Sequence, residues 1–441
     1  MVNDDASRKY ESIDAEALNN TSPTNLKPEI IPDNEKPAGP GGTFSALRHR
    51  NFRIFWIGAL ISNLGGWMQV VAQNWLILSL TGSPFLLGLV NFIANLPMLL
   101  LSLVGGVVAD RNSRKTVLLI TQNIMALLML LMAVLSLFNF INIWLVIIIA
   151  LAIGIVQAFN SPAYQTIMLD MVGKKDIMNA IALNSFQFNL TRIVGPGIAG
   201  ILVSVVGVAA CFFLNSLSFM AVVAALLLVR LPTPAPIIVK RSVLQEIQES
   251  LGYLKRNVEL SGLLVIASLF SFFVFPYLTL LPVFVQKVFK GGPKDYGILL
   301  SAVGVGALLS ALLVANISGR LRRKTPFMNW GMLIMVCGLL LFSLSTNFIL
   351  TMIALAFAGG AMVAVNTTMN TIVQSNVPDE LRGRILSVWT LCTMGFMPLG
   401  NLQSGIVAEQ WGAPFSIFLN TILFVLLTGL IHLLIPKLRQ F

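Results

Sequence analysis

Charge is scarce in this 441-residue sequence, where Asp, Glu, Lys and Arg make up only 11%. A soluble domain carries about 25% charged residues. That shortage, beside a hydrophobic content of 56%, excludes a soluble globular protein. It also excludes an ordinary nucleic-acid binder, despite a net charge of +11. Cysteine is nearly absent. Cys211, Cys337 and Cys392 stand far apart in apolar runs, which gives neither a disulfide framework nor a metal spacing. Two histidines, His49 and His432, cannot build a histidine-rich metal site. Nucleophile–base sets and nucleotide-binding loops are missing too. An enzyme is therefore not expected, no cofactor is expected, and ATP is not the direct energy source. The alternating apolar and polar pattern of an outer-membrane barrel is also lacking.

What is present is a series of long apolar segments. A helix crosses a bilayer with about 20 mostly apolar residues. Twelve such segments are predicted: Phe52–Leu80, Pro84–Ala109, Val117–Leu137, Ile143–Leu169, Ile177–Val205, Val208–Val229, Leu260–Phe284, Tyr296–Ile317, Phe327–Leu344, Phe348–Ser375, Ile385–Val407 and Pro414–Ile435. The fold class is an all-α, multi-pass membrane protein. Residues 1–43 differ, with eight acidic and four basic residues. They are expected to form a disordered tail rather than a signal peptide, because no apolar core with a cleavage pattern follows the start.

Lysine and arginine set the orientation. With the N-terminus inside, cytoplasmic connections and flanks hold 21 of them, and outside loops hold three, Lys287, Lys290 and Lys294. Both termini are thus expected in the cytoplasm. The sequence divides at its longest internal connection into a first six-helix bundle, 44–230, a linker, 231–259, and a second bundle, 260–441. In the linker, Ser242 and Gln245 form a capping-box pattern. It opens an amphipathic helix with Leu244, Ile247, Leu251 and Leu254 on one face. The halves repeat each other. Asp110–Lys115 recurs 209 positions later as Gly319–Lys324, and Asn160 matches Asn366. Two repeated bundles around a midplane site is a transporter plan.

Gly106-Val-Val-Ala-Asp110-Arg111-Asn-Ser-Arg114-Lys115 resembles the major facilitator signature between helices 2 and 3, with Ser113 in place of its second glycine. Gly65-Gly-Trp-Met-Gln69, Thr81-Gly-Ser-Pro84, Ser161-Pro-Ala163, Arg192–Gly197 and Val377–Arg384 resemble the enterobactin-exporter-like branch. The resemblance covers residues 44–441. It implies the major facilitator fold in a bacterial inner membrane and export of a small organic molecule, such as a siderophore, drug or metabolite. The transporter is expected to be a monomer that meets substrate, lipids and coupling protons, and no nucleic acid. A lipid or lysolipid flippase and a non-transporting receptor or scaffold are the alternatives.

By the same resemblance, the loop of Asp110, Arg111 and Arg114 latches the two bundles on the cytoplasmic side when the site faces outward. A carboxylate is favoured near the N-terminal end of a helix, and helix 11 begins near Arg384. Arg114 has Asp110 or Asp170 as a partner. Gly195-Pro196-Gly197 resembles the glycine–proline motif of exporters in helix 5, read either as a bend that seals the bundles or as close packing.

Polar residues inside the bilayer mark interior faces. Gln157, Asn160 and Tyr164 form one stripe on helix 4, and Asn366, Asn370 and Gln374 form one on helix 10. Helix 1 offers Asn63 and helix 7 offers Tyr277. The resemblance places helices 1, 4, 7 and 10 around the cavity, so these residues are expected to bind substrate. The alternative is that the amides join helices. Of 18 acidic residues, the ten beyond residue 43 all lie near helix ends or in loops. A mid-membrane proton carrier is therefore missing, or it is Asp110, Asp170 or Glu409. Arg192 lies near the centre of helix 5, at a cost of roughly 2.5–3.5 kcal/mol on insertion scales. Its offset comes from an amide such as Asn189, from carbonyls freed by Pro196, or from an anionic group on the substrate.

Overall fold

The computed structural model describes residues 44–229, 252–317 and 324–440. Among them, twelve helices are long and apolar enough to cross a membrane. They are α1 (Arg50–Thr81), α2 (Pro84–Arg111) and α3 (Arg114–Leu137). After α4 (Ile143–Gly173) and α5 (Asp176–Val205) comes α6 (Val208–Leu228). The second half holds α7 (Val258–Lys287), α8 (Pro293–Ile317) and α9 (Lys324–Leu344). It ends with α10 (Phe348–Ser375), α11 (Asp379–Trp411) and α12 (Ala413–Leu434). Each predicted apolar segment is one of these helices. The largest shift is at α11, which starts six residues before Ile385 because a charged turn continues the helix beyond the apolar stretch. The tail, most of the linker with Ser242, and 318–323 lie outside the described residues.

Local chemistry sets the helix ends. Ser83 accepts a bond from the Leu86 N–H at 3.2 Å, with Pro84 behind it to start α2. Asn142 and Asn347 cap α4 and α10 in the same way, each accepting at 3.0 Å. These side chains satisfy N–H groups that a helix start leaves orphaned. Gly82 ends α1 at φ 63°, and Gly173 breaks α4 from α5 at φ 67°, backbone that glycine adopts freely. In α7 a π-turn at Phe270–Val274 precedes Pro276, which kinks that helix.

Helices α1–α6 and α7–α12 form two six-helix bundles. Lipid tails are as apolar as leucine, so helix pairing in a membrane relies on close approach at small residues. In the first bundle Gly105 faces the Ala158 carbonyl and Gly154 faces the Ala94 carbonyl, joining α2 to α4. Their repeat mates do the same: Gly306 meets the Ala356 carbonyl and Gly359 meets Val303, joining α8 to α10. Large apolar side chains such as Leu127, Ile148, Leu312 and Leu344 remain exposed on the outer faces, as a lipid-facing surface requires. We name the side where α1 begins and α12 ends the terminal side, and the opposite one the distal side.

Candidate functional site

The two bundles meet at two helix crossings. Helix α5 of the first bundle crosses α8 of the second. A Cβ added to Gly200 would stand 2.6 Å from the Pro293 carbonyl, and one added to Gly304 would stand 2.8 Å from the Arg192 carbonyl. Gly297 lies against the Pro196 carbonyl. The mirror crossing joins α2 to α11, where Gly88 lies on the Asn401 carbonyl and Gly405 would place a Cβ 2.8 Å from the Pro84 carbonyl.

Side-chain bonds reinforce the distal end of these crossings. One carboxylate oxygen of Glu409, on α11, accepts from the Ser83 hydroxyl at 2.8 Å and from the Phe85 N–H at 3.1 Å. It thereby occupies the positive N-terminal end of α2 from the other bundle. Deeper in, Asn74 of α1 donates to the Tyr296 hydroxyl of α8 at 3.3 Å. Both residues are buried.

Beneath this seal lies a cavity of about 540 Å³ between the bundles, lined by α1, α2, α5, α7, α8, α10 and α11. Asn74 and Tyr296 form its roof. Asn91 donates to the Asn74 carbonyl oxygen at 3.1 Å, and Thr279 donates to Asn401 at 3.0 Å. Trp67, Phe188 and Phe275 supply aromatic faces. Asn366 and Thr367 of α10 supply further hydrogen-bonding groups. Among the described residues, Arg192 is the single charged one in the lining.

Several charged groups of the first bundle near the terminal side find partners within that bundle. Arg114 Nη1 donates to both Asp170 oxygens, at 2.7 and 2.8 Å, tying α3 to α4. Lys115 Nζ donates to the Val229 carbonyl at 2.6 Å. His49 Nε2 lies 2.8 Å from Asp176. Asp110 sits in the last turn of α2, with its side chain outside the described set, and Arg111 beside it is exposed.

The predicted substrate residues fall into three groups. Arg192 and Asn366 line the cavity. Asn370 and Gln374 continue the Asn366 face toward the terminal side, bonded to each other at 3.0 Å, and do not line the cavity. The helix 4 stripe is placed apart from this cavity. Asn160 is buried and accepts from Thr121 at 3.0 Å and Gln122 at 3.3 Å, so it joins α4 to α3. Tyr164 packs on Phe55 with ring centroids 5.4 Å apart. Gln157 is exposed, and Asn63 is half-buried on α1. None of these four is in the cavity lining. Tyr277 is buried against Phe342, with ring centroids 6.4 Å apart, and its hydroxyl makes no hydrogen bond. It lies within electrostatic reach of Arg192 but outside the lining.

The glycine–proline motif on α5 faces two neighbours. Gly195 admits Trp67 of α1, at 2.6 Å from a built Cβ, while Pro196 and Gly197 face α8. Asn91, Asn95, Tyr296 and Asn401 line the cavity without having been anticipated. Only the i, i+4 spacing of Asn91 and Asn95 inside an apolar segment offered a signal for any of them.

Comparisons with known proteins agree with this architecture. The staphyloferrin A transporter of Staphylococcus aureus is 28% identical to the chain, over 88% of the chain and 97% of the relative. The multidrug efflux pump Tap of Mycolicibacterium fortuitum is 25% identical, over 87% and 95%. Among solved structures, the nucleoside transporter NupG matches with a TM-score of 0.69 at 15% identity. That match covers 87% of this chain and 98% of the other, and it shows the shared fold. The chain is a multi-pass membrane transporter of small molecules and not an enzyme. With the transmembrane secretion effector family matched over residues 41–441, the chain belongs to that family of major facilitator transporters.

Proposed function

We propose that the chain is a secondary active exporter of a small organic molecule, working by alternating access and driven by a proton gradient. The observation that carries this reading is the cavity between the bundles, roofed on the distal side by glycine-to-carbonyl contacts. The lysine and arginine bias supports a cytoplasmic terminal side. On that orientation the distal seal faces outward, and the cavity is poised to load from the cytoplasm. Opening of the α5–α8 and α2–α11 crossings then releases the substrate outside. The staphyloferrin A and Tap relatives support a siderophore- or drug-like cargo.

The test is uptake into everted membrane vesicles from cells that express the chain, with a panel of siderophores and drugs. Accumulation that disappears when the pH gradient is collapsed supports the proposal. Accumulation that is indifferent to every ion gradient refutes the coupling, and no accumulation of any compound refutes export.

A further inference from the structure

We infer that the cavity selects organic anions bearing one negative charge on an uncharged, partly aromatic body, and that Arg192 reads the charge. This rests on the reading of the cavity as the substrate site. Arg192 sits at the centre of α5, where an unneutralised cation is costly. Among the described residues, no hydrogen bond or ion pair engages its guanidinium. Arg114 and Arg382, by contrast, reach carboxylates at 2.7 and 2.6 Å. The Arg192 side chain instead lines the cavity, and its backbone is held against α8 at Gly304. A planar guanidinium presents a fork of donors that matches a carboxylate in two parallel bonds.

The rest of the lining defines the rest of the ligand. Trp67, Phe188 and Phe275 fit an apolar or aromatic body, and the Asn366 and Asn401 amides fit neutral polar groups. Among the described residues, no second cation lines the cavity. A second carboxylate would lose its water without a charged partner, and a cation would sit beside Arg192 unopposed. One carboxylate per ligand is the charge this chemistry accommodates.

The test uses the full-length protein in phosphatidylcholine nanodiscs and isothermal titration calorimetry, with empty nanodiscs to subtract partitioning. The probes are acid and amide pairs of matched shape: 1-naphthylacetate with 1-naphthylacetamide, and benzoate with benzamide. Wild type should bind each acid about tenfold or more tightly than its amide, as a charge-assisted bidentate pair requires. Arg192→Gln should remove the preference, and Arg192→Lys should keep part of it. Equal binding of acid and amide by wild type, binding of neither, or a preference that survives Arg192→Gln overturns the inference. If the Gln variant does not accumulate, Arg192→Lys decides: weaker acid binding with unchanged amide binding supports the inference, and unchanged acid binding overturns it. Vesicle transport separates this inference from the exporter reading. Accumulation of neutral compounds without acid selectivity sinks the charge reading alone, and acid-selective binding with no accumulation of any compound sinks the exporter reading alone.

Discussion

Replacing Glu409 with glutamine removes one charge from the distal seal and keeps the side chain's shape. In the closed arrangement a single carboxylate oxygen accepts from the Ser83 hydroxyl and the Phe85 N–H, at 2.8 and 3.1 Å. Hydrogen bonds to a charged group contribute about 1.5–3 kcal/mol, against about 1 for neutral ones. A carboxylate at a helix N-terminus adds roughly 0.3–1 kcal/mol. Glu409 is exposed, so water and salt screen both contributions. The expected loss is about 1–2 kcal/mol, which raises the distal-open to distal-closed ratio roughly 5–30-fold. Single-molecule energy transfer between dyes on Phe140→Cys and Thr346→Cys, both on exposed distal positions, reads that ratio. The background replaces Cys211, Cys337 and Cys392. Ser83→Ala should have a smaller effect, because the Phe85 N–H still donates, and its effect should shrink in the Glu409→Gln background. A change below about twofold in the open fraction of Glu409→Gln would refute the latch, since a bond worth less than RT does not hold a gate.

Gly297→Leu would drive a side chain into the Pro196 carbonyl. It should abolish transport at normal membrane abundance and raise the distal-open fraction in the same dye assay. Asn160→Ala removes the acceptor of Gln122 and one of three acceptors of Thr121. It should cost about 0.6–1.7 kcal/mol of stability, seen as a lowered Tm, while KM for transport stays constant; a raised KM at unchanged Tm would return Asn160 to the cavity. Arg114→Gln and Asp170→Asn each strand a mostly buried charge. Both should lower membrane accumulation, and the swapped pair Arg114→Asp with Asp170→Arg should restore part of it.

The helices were legible because the bilayer imposes length and apolarity together. Lipid leaves no alternative way to satisfy the backbone, so twelve apolar segments gave twelve helices. Arg192 was legible for a related reason: a cation amid apolar neighbours demands an explanation from the sequence itself. The stripe on α4 was open to two readings because an intramembrane amide has two uses, and they look alike along one helix. Asn160 is satisfied by Thr121 and Gln122, 39 and 38 residues away, a pairing that periodicity on α4 does not contain. The pairing that forms the cavity roof was hidden for a different reason. Asn74 meets Tyr296 only where α1 and α8 converge, so its place depends on which end of the molecule is closed. Glu409 shows the limit most clearly, since its partners are a hydroxyl and a backbone N–H that lie 326 and 324 residues away.

The composition of the seal fits the opening that the proposed alternating-access cycle requires of it. Between helices in lipid there is no net hydrophobic drive, because the tails solvate leucine as well as another leucine does. A seam of interlocked large side chains would therefore gain mainly from dispersion, and rotamers would have to rearrange each time it parted. Glycine against carbonyl avoids that. At Gly88, Gly200, Gly297, Gly304 and Gly405 the backbones touch with no side chain between them, which suits the rigid-body separation that the proposed cycle requires. The attraction that remains is spread along two crossings, and one exposed carboxylate and one buried amide–hydroxyl bond supplement it. Each term is small enough for a gradient or a bound substrate to overcome, and an equilibrium moves only by the differential affinity a ligand has for its two states. The same requirement explains where the stronger ion pair is found. Arg114 and Asp170 join two helices of one bundle, where strength keeps the moving body rigid and does not oppose its motion.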